Sequence, residues 1–148
     1  MNFSIHAFNE LSAQQLYNIM QLRQKVFVVE QNCPYLDADG FDCFSWHLSG
    51  YHESGDLWAY TRVLPPDVVY PHYASIGRVV TDVAARRLGW GRQIMQHSIA
   101  FCQKTYPNIG IKIGAQAYLQ TFYESFGFEV IGETYLEDDI PHIPMLLR

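Results

Sequence analysis

The chain has 148 residues, enough for one hydrophobic core and too few for that core plus a separate cofactor domain. Its 49% hydrophobic and 17% charged residues exclude a largely disordered chain, and a formal net charge of -5 argues against nucleic-acid partners, whose phosphates call for basic clusters. Cys33, Cys43 and Cys102 are odd in number without CxxC spacing, no apolar run nears the ~20 residues of a membrane span, and the N-terminus lacks a signal pattern; the expectation is a cytoplasmic protein with reduced thiols, no metal and no membrane partner.

Phe3, Ile5 and Ala7 alternate as a first strand. Ser12 with Gln15 forms a capping box for a helix whose Leu16, Ile19, Met20, Val26 and Phe27 recur at helical spacing to about Glu30, where Asn32, Cys33 and Pro34 stop it. Residues 34–43, with Asp37, Asp39, Gly40 and Asp42, read as an acidic loop or a short irregular helix, solvated rather than calcium-binding because the ligand spacing and closing Glu of a calcium loop are missing. Strands at 45–51 and 57–64 flank the turn Glu53-Ser54-Gly55-Asp56, and Pro65, Pro66 and Pro71 break the chain before a strand at 75–81. Ile94, Met95, Ile99, Phe101 and Cys102 mark a helix over 91–106. A strand around Ile109, Ile111 and Ile113, a short helix over 117–126 stopped by Gly127, and strands at 128–135 and 143–147 complete an α/β chain, a mixed, mostly antiparallel sheet flanked by helices.

The strand ending at Thr81 leads into Arg86-Arg87-Leu88-Gly89-Trp90-Gly91 and then a helix. Gly89 and Gly91 allow close backbone approach, and the helix N-terminus beyond them offers unpaired amides at its positive end, a combination that binds phosphate. A Walker loop is excluded because no Gly-Lys-Ser/Thr follows, and a dinucleotide fingerprint because residue 94 is Ile; the bland alternative is a glycine turn before a helix. Further on, Leu119, Phe122 and Phe126 share a helical face suited to the core, with Tyr123 offset toward the helix edge before Gly127-Phe128.

In their order and separation these two segments resemble the GNAT superfamily of acyl-CoA N-acyltransferases. Arg86, Gly89 and Gly91 match its Arg/Gln-x-x-Gly-x-Gly motif, and Tyr123, Gly127 and Phe128 its Tyr-x-x-x-Gly-Phe element. Leu22-Arg23, the stretch from Val26 to Gln31, Gly114-Ala115-Gln116-Ala117 and Ile140-Pro141-His142-Ile143 are similar to the bacterial ElaA-like branch, so the likeness spans nearly the whole chain. Gln116 departs from the Asn that many members use to contact CoA.

The resemblance implies direct acetyl transfer from acetyl-CoA to a primary amine, in a small molecule or a lysine or N-terminal amine, without an acyl-enzyme and without a metal. Backbone from Val79 through Val80 to Thr81 would hold the pantetheine arm and polarise the thioester. Arg86, Arg87, Leu88, Gly89, Trp90, Gly91 and Arg92 would bind the pyrophosphate, with Gln116 a further contact. Tyr123 would protonate the leaving thiolate. Glu30, His47 and His142 are candidates for the base, or for substrate contacts, each with a structural hydrogen-bonding role as its alternative. Cys33 before Pro34 reads as a packing residue rather than a nucleophile. The other reading is a non-catalytic acyl-CoA-binding module, and either would act as a monomer or homodimer.

Overall fold

The computed structural model describes residues 1–148. β1 (Asn2–Ala7), β2 (Trp46–Tyr51), β3 (Leu57–Leu64) and β4 (Ser75–Thr81) form an antiparallel sheet in that order. β3 and β4 occupy the expected spans. Along β3 the side chains alternate: Ala59 and Val63 turn to one face, with Thr61 Oγ1 2.6 Å from Ser98 Oγ of α2 (Trp90–Thr105), while Tyr60 and Arg62 turn to the other. On that second face lies α1 (Ala13–Arg23), so helices cover both sides of the sheet. α2 seals its face with Trp90, Ile94, Met95 and Cys102, all buried; each such side chain removed from water contributes about 1.5–3 kcal/mol.

α1 begins at the Ser12–Gln15 capping box. It does not run on as one α-helix to Glu30: from Gln24 to Glu30 the turns widen to the π form, with Gln31 N donating to Val26 O and Cys33 N to Val28 O, five residues back.

The second sheet is antiparallel around β8 (Ile140–Leu147), which pairs with β5 (Ile111–Gln116) on one side and with β6 (Glu129–Val130) and β7 (Tyr135–Glu137) on the other. The single strand expected over 128–135 is broken here. Pro144 has no N–H to donate, the chain keeps only the bond from Ile131 N to Pro144 O, and it leaves β8 until Tyr135 pairs with His142. Between β5 and β6 a 3-10 turn, Ala117–Leu119, leads into α3 (Gln120–Glu124), which Gly127 ends at φ 99°.

The segment over 34–43 is the clearest departure from expectation. Asp37 and Asp42 are buried, not solvated. Arg23, itself fully buried, donates from Nε to Asp37 Oδ2 at 2.8 Å and from Nη1 to Asp42 Oδ1 at 2.6 Å. Arg62 Nη1 reaches Asp39 Oδ1 at 2.8 Å and Asp42 Oδ1 at 3.1 Å, and Arg78 Nε reaches Asp37 Oδ1 at 2.9 Å. Three carboxylates are thus neutralised by three guanidiniums.

Candidate active site

β4 and β5 run parallel yet meet only at Ala74 and Ile111, where Ala74 N donates to Gly110 O at 3.1 Å and Lys112 N to Ala74 O at 2.9 Å. Beyond that point they belong to separate sheets and part, opening a cleft of about 840 Å³ between their edges. On the β4 wall one extra residue lies between the pairs Tyr60–Val80 and Arg62–Gly77, a β-bulge with Arg78 at φ 49°. Left-handed backbone is costly for a residue bearing a Cβ. The Arg78 bonds to the Asp37 side chain and, at 3.1 Å, to its carbonyl hold it there.

The segment joining β4 to α2 places Arg87 at φ 64° and Gly89 at φ 85°. The amides of Arg87, Gly89, Trp90, Gly91 and Arg92 donate to no backbone carbonyl, so five N–H groups gather at the positive end of a 16-residue helix. Gly89 is required by its backbone angle, since a Cβ there would meet nothing within 4 Å; at Gly91 a Cβ would sit 3.7 Å from Thr81 Cγ2. This donor set fits a pyrophosphate.

The side chains of the loop are less uniform than the sequence suggests. Arg86 forms a two-pronged pair with Glu30, with Nη2 2.8 Å from Oε2, and both line the cleft. Arg92 is held against α3 by a 3.1 Å bond to Ser125 and lies over the rings of Phe126 and Phe122. Arg87 and Leu88 face solvent, while the Trp90 ring is buried against Phe3 and Trp58 and contributes only its unpaired amide to the loop. Val79, Val80 and Thr81 all line the cleft, and the Val80 side chain also packs under α1. Gln116 reaches Gln31 across the cleft at 3.4 Å.

Tyr123 lines the same cleft but does not emerge at a helix edge. It is 5% exposed and belongs to the core, whereas Phe122 and Phe126, expected inside, are only partly buried. Burial, and less so the neighbouring Tyr118, pushes its phenol well above the ordinary value, and no hydrogen bond within the chain engages the hydroxyl. It therefore keeps its proton.

The three base candidates separate. His47 is fully buried away from the cleft, with Nδ1 2.7 Å from Tyr60 Oη and Nε2 2.9 Å from Asp42 O, and burial pushes its pKa down. It braces the acidic segment, which corrects its candidacy. Glu30 faces the cleft, but the Arg86 hydrogen bonds hold its carboxyl below the ordinary range, which makes it a weak proton acceptor. His142 lines the cleft beside Glu137, a residue the sequence reading missed because Pro144 obscures the hairpin that carries it. Cys33 lines it too, with Sγ 3.6 Å from Asp138 O and a thiol pushed up by burial, as a packing residue would be.

A family model described as an acetyltransferase (GNAT) domain matches residues 50–148. A UPF0039 protein of Synechocystis is 45% identical over 100% of this chain and 96% of its own length. Protein ElaA of Escherichia coli is 45% identical over 93% of this chain and 90% of its own, and its crystal structure superposes with a TM-score of 0.93 at 41% identity, covering 100% of both chains. The crystal structure of an acyl-CoA N-acyltransferase from Pseudomonas aeruginosa gives a TM-score of 0.91 at 39% identity over 99% of each chain. With the split between β4 and β5, the bulge and the amide cluster before α2, these likenesses establish that the chain belongs to the GNAT acetyltransferase family, in its ElaA-like branch.

Proposed function

We propose that the protein transfers an acetyl group from acetyl-CoA directly to a primary amine. The observation that carries this reading is the cleft between β4 and β5, lined by Arg86 and Gly91 of the loop in which the amides of Gly89, Trp90, Gly91 and Arg92 are unpaired. Acetyl-CoA supplies the activated thioester. The amides hold its pyrophosphate at the helix N-terminus, where fixed partial charge favours an anion, and Arg86 adds charge once it turns from Glu30. Backbone at the β4 bulge, freed from the β3 ladder, polarises the carbonyl and holds it for attack. Holding both substrates in one cleft makes the attack effectively unimolecular. Tyr123, kept protonated by its burial, gives its proton to the departing sulfur. The test is release of free thiol from acetyl-CoA in the presence of a panel of primary amines, with the acetylated amine detected by mass spectrometry. Amine-dependent thiol release is expected; acetyl-CoA binding with no turnover on any amine would point to a binding module instead.

A further inference from the structure

His142 Nδ1 lies 2.7 Å from the carbonyl oxygen of Ile140. A carbonyl only accepts, so Nδ1 carries the hydrogen, and in the neutral ring Nε2 is a bare lone pair. That lone pair lies 3.3 Å from the Oε2 of Glu137. Two acceptors do not face each other at this distance without a hydrogen between them: either the ring is protonated, or a third group donates to both. The ring is 7% exposed and stacks on Tyr135 at 5.8 Å between centroids, so it is fixed in place, while the Glu137 side chain is 61% exposed and reachable by a solute. Both residues line the cleft.

Their level along the cleft follows from the strand pairings. His142 pairs with Gln116 of β5, well past the Ala74–Ile111 bridge, so the histidine stands in the part of the cleft where β4 and β5 have separated. Tyr70 and Tyr135 bring their hydroxyls over Gly114, two residues earlier on β5, where a Cβ would meet the Tyr135 oxygen. The cleft on this side is therefore lined by aromatic and acidic groups.

We propose that Glu137 and His142 form the acceptor site for an alkylammonium ion, and that this pair removes its proton. The inference rests on the acyltransferase reading above. The ammonium donates to Glu137 Oε2 and His142 Nε2 together, between rings whose faces attract cations. One proton passes from the amine to Nε2, and the imidazolium is balanced by Glu137. The freed lone pair forms the C–N bond as the C–S bond breaks, and the sulfur takes the Tyr123 proton. The nitrogen then loses its second proton, which restores the Tyr123 phenol through solvent, and the imidazolium returns the net proton to water.

Two acceptors separate this role from a structural one. Butylamine is charged at neutral pH and needs both binding and deprotonation; hydroxylamine is uncharged and needs neither. For Glu137→Gln and His142→Gln, kcat/KM should fall about 10²-fold with butylamine and less than about threefold with hydroxylamine. Equal losses with both acceptors, or no loss with butylamine, would overturn the proposal, as would a wild-type enzyme that acetylates hydroxylamine but not butylamine. Acetylation of neither amine overturns it too. Calorimetric titration of acetyl-CoA into the same samples then decides whether the acyltransferase reading falls with it, through absence of binding.

Discussion

Asp42→Ala should lower the stability of the protein by about 3–5 kcal/mol, among the largest effects of any single substitution in the chain. Asp42 Oδ1 accepts from two buried guanidiniums, Arg23 at 2.6 Å and Arg62 at 3.1 Å, and removing it leaves three guanidiniums sharing the two carboxylates of Asp37 and Asp39, one positive charge in excess in the interior. Arg62 keeps its pair with Asp39, but its Nε is already a buried donor without a partner. Burial alone would raise the Asp42 pKa, but the bonds and charges of Arg23 and Arg62 outweigh it and hold the carboxyl below the ordinary range; Asp39 is held down to about 2 by Arg62, Phe41 N and Arg78 against the same burial. A folded-state value lowered in this way gives stability that is complete above the unfolded value of ~4 and is lost as pH falls through the folded one. Urea denaturation at neutral pH measures the effect. A loss below about 1 kcal/mol would mean that the network tolerates a missing carboxylate and does not fix the segment.

Tyr123→Phe should reduce the rate of acetyl transfer ~10²-fold while leaving the fold and the affinity for acetyl-CoA nearly unchanged. The ring fills core space beside Phe128 and keeps doing so in the variant. The hydroxyl makes no hydrogen bond within the chain, so its removal strands no partner. What is lost is a proton donor facing the cleft. Equal falls in kcat and kcat/KM are the signature of an interaction made in the transition state. Single-turnover measurement removes any masking by product release: an unchanged chemical rate would leave the thiolate to be protonated by water.

The backbone frame was legible because its signals are local. β3 and β4 declare themselves through β-branched runs between turns and prolines, and α2 through apolar residues at helical spacing after Gly89 and Gly91. The Arg/Asp network was not, because each pair joins residues far apart: Arg23 with Asp37 and Asp42, Arg62 with Asp39, Arg78 with Asp37. Its trace in the sequence is an arginine on the apolar face of α1, next to Leu22, and another amid the buried residues of β3. The resemblance singles out Tyr123, but its burial depends on α3 lying against β5 and on Phe128 beside it, which helical spacing alone assigned to the wrong face. Glu137 was hidden because the strand pattern over 128–135 breaks opposite Pro144 and resumes at Tyr135, and only the β7–β8 pairing brings Glu137 to His142.

The central claim is that the amides before α2 hold the pyrophosphate of acetyl-CoA, and Gly91→Asp tests it most directly. Gly91 is the better of the two loop glycines for this purpose. Its Cβ site is 3.7 Å from the nearest atom, an ordinary contact, whereas any side chain at Gly89 would also strain a left-handed backbone. An aspartate at 91 brings a negative charge to the place where the anion would lie. Calorimetric titration of acetyl-CoA should show binding to the wild-type protein and at least about a tenfold weaker constant for a folded Gly91→Asp variant, a loss of ~1.4 kcal/mol. Equal affinity for the two proteins, or no binding to either, would contradict the account.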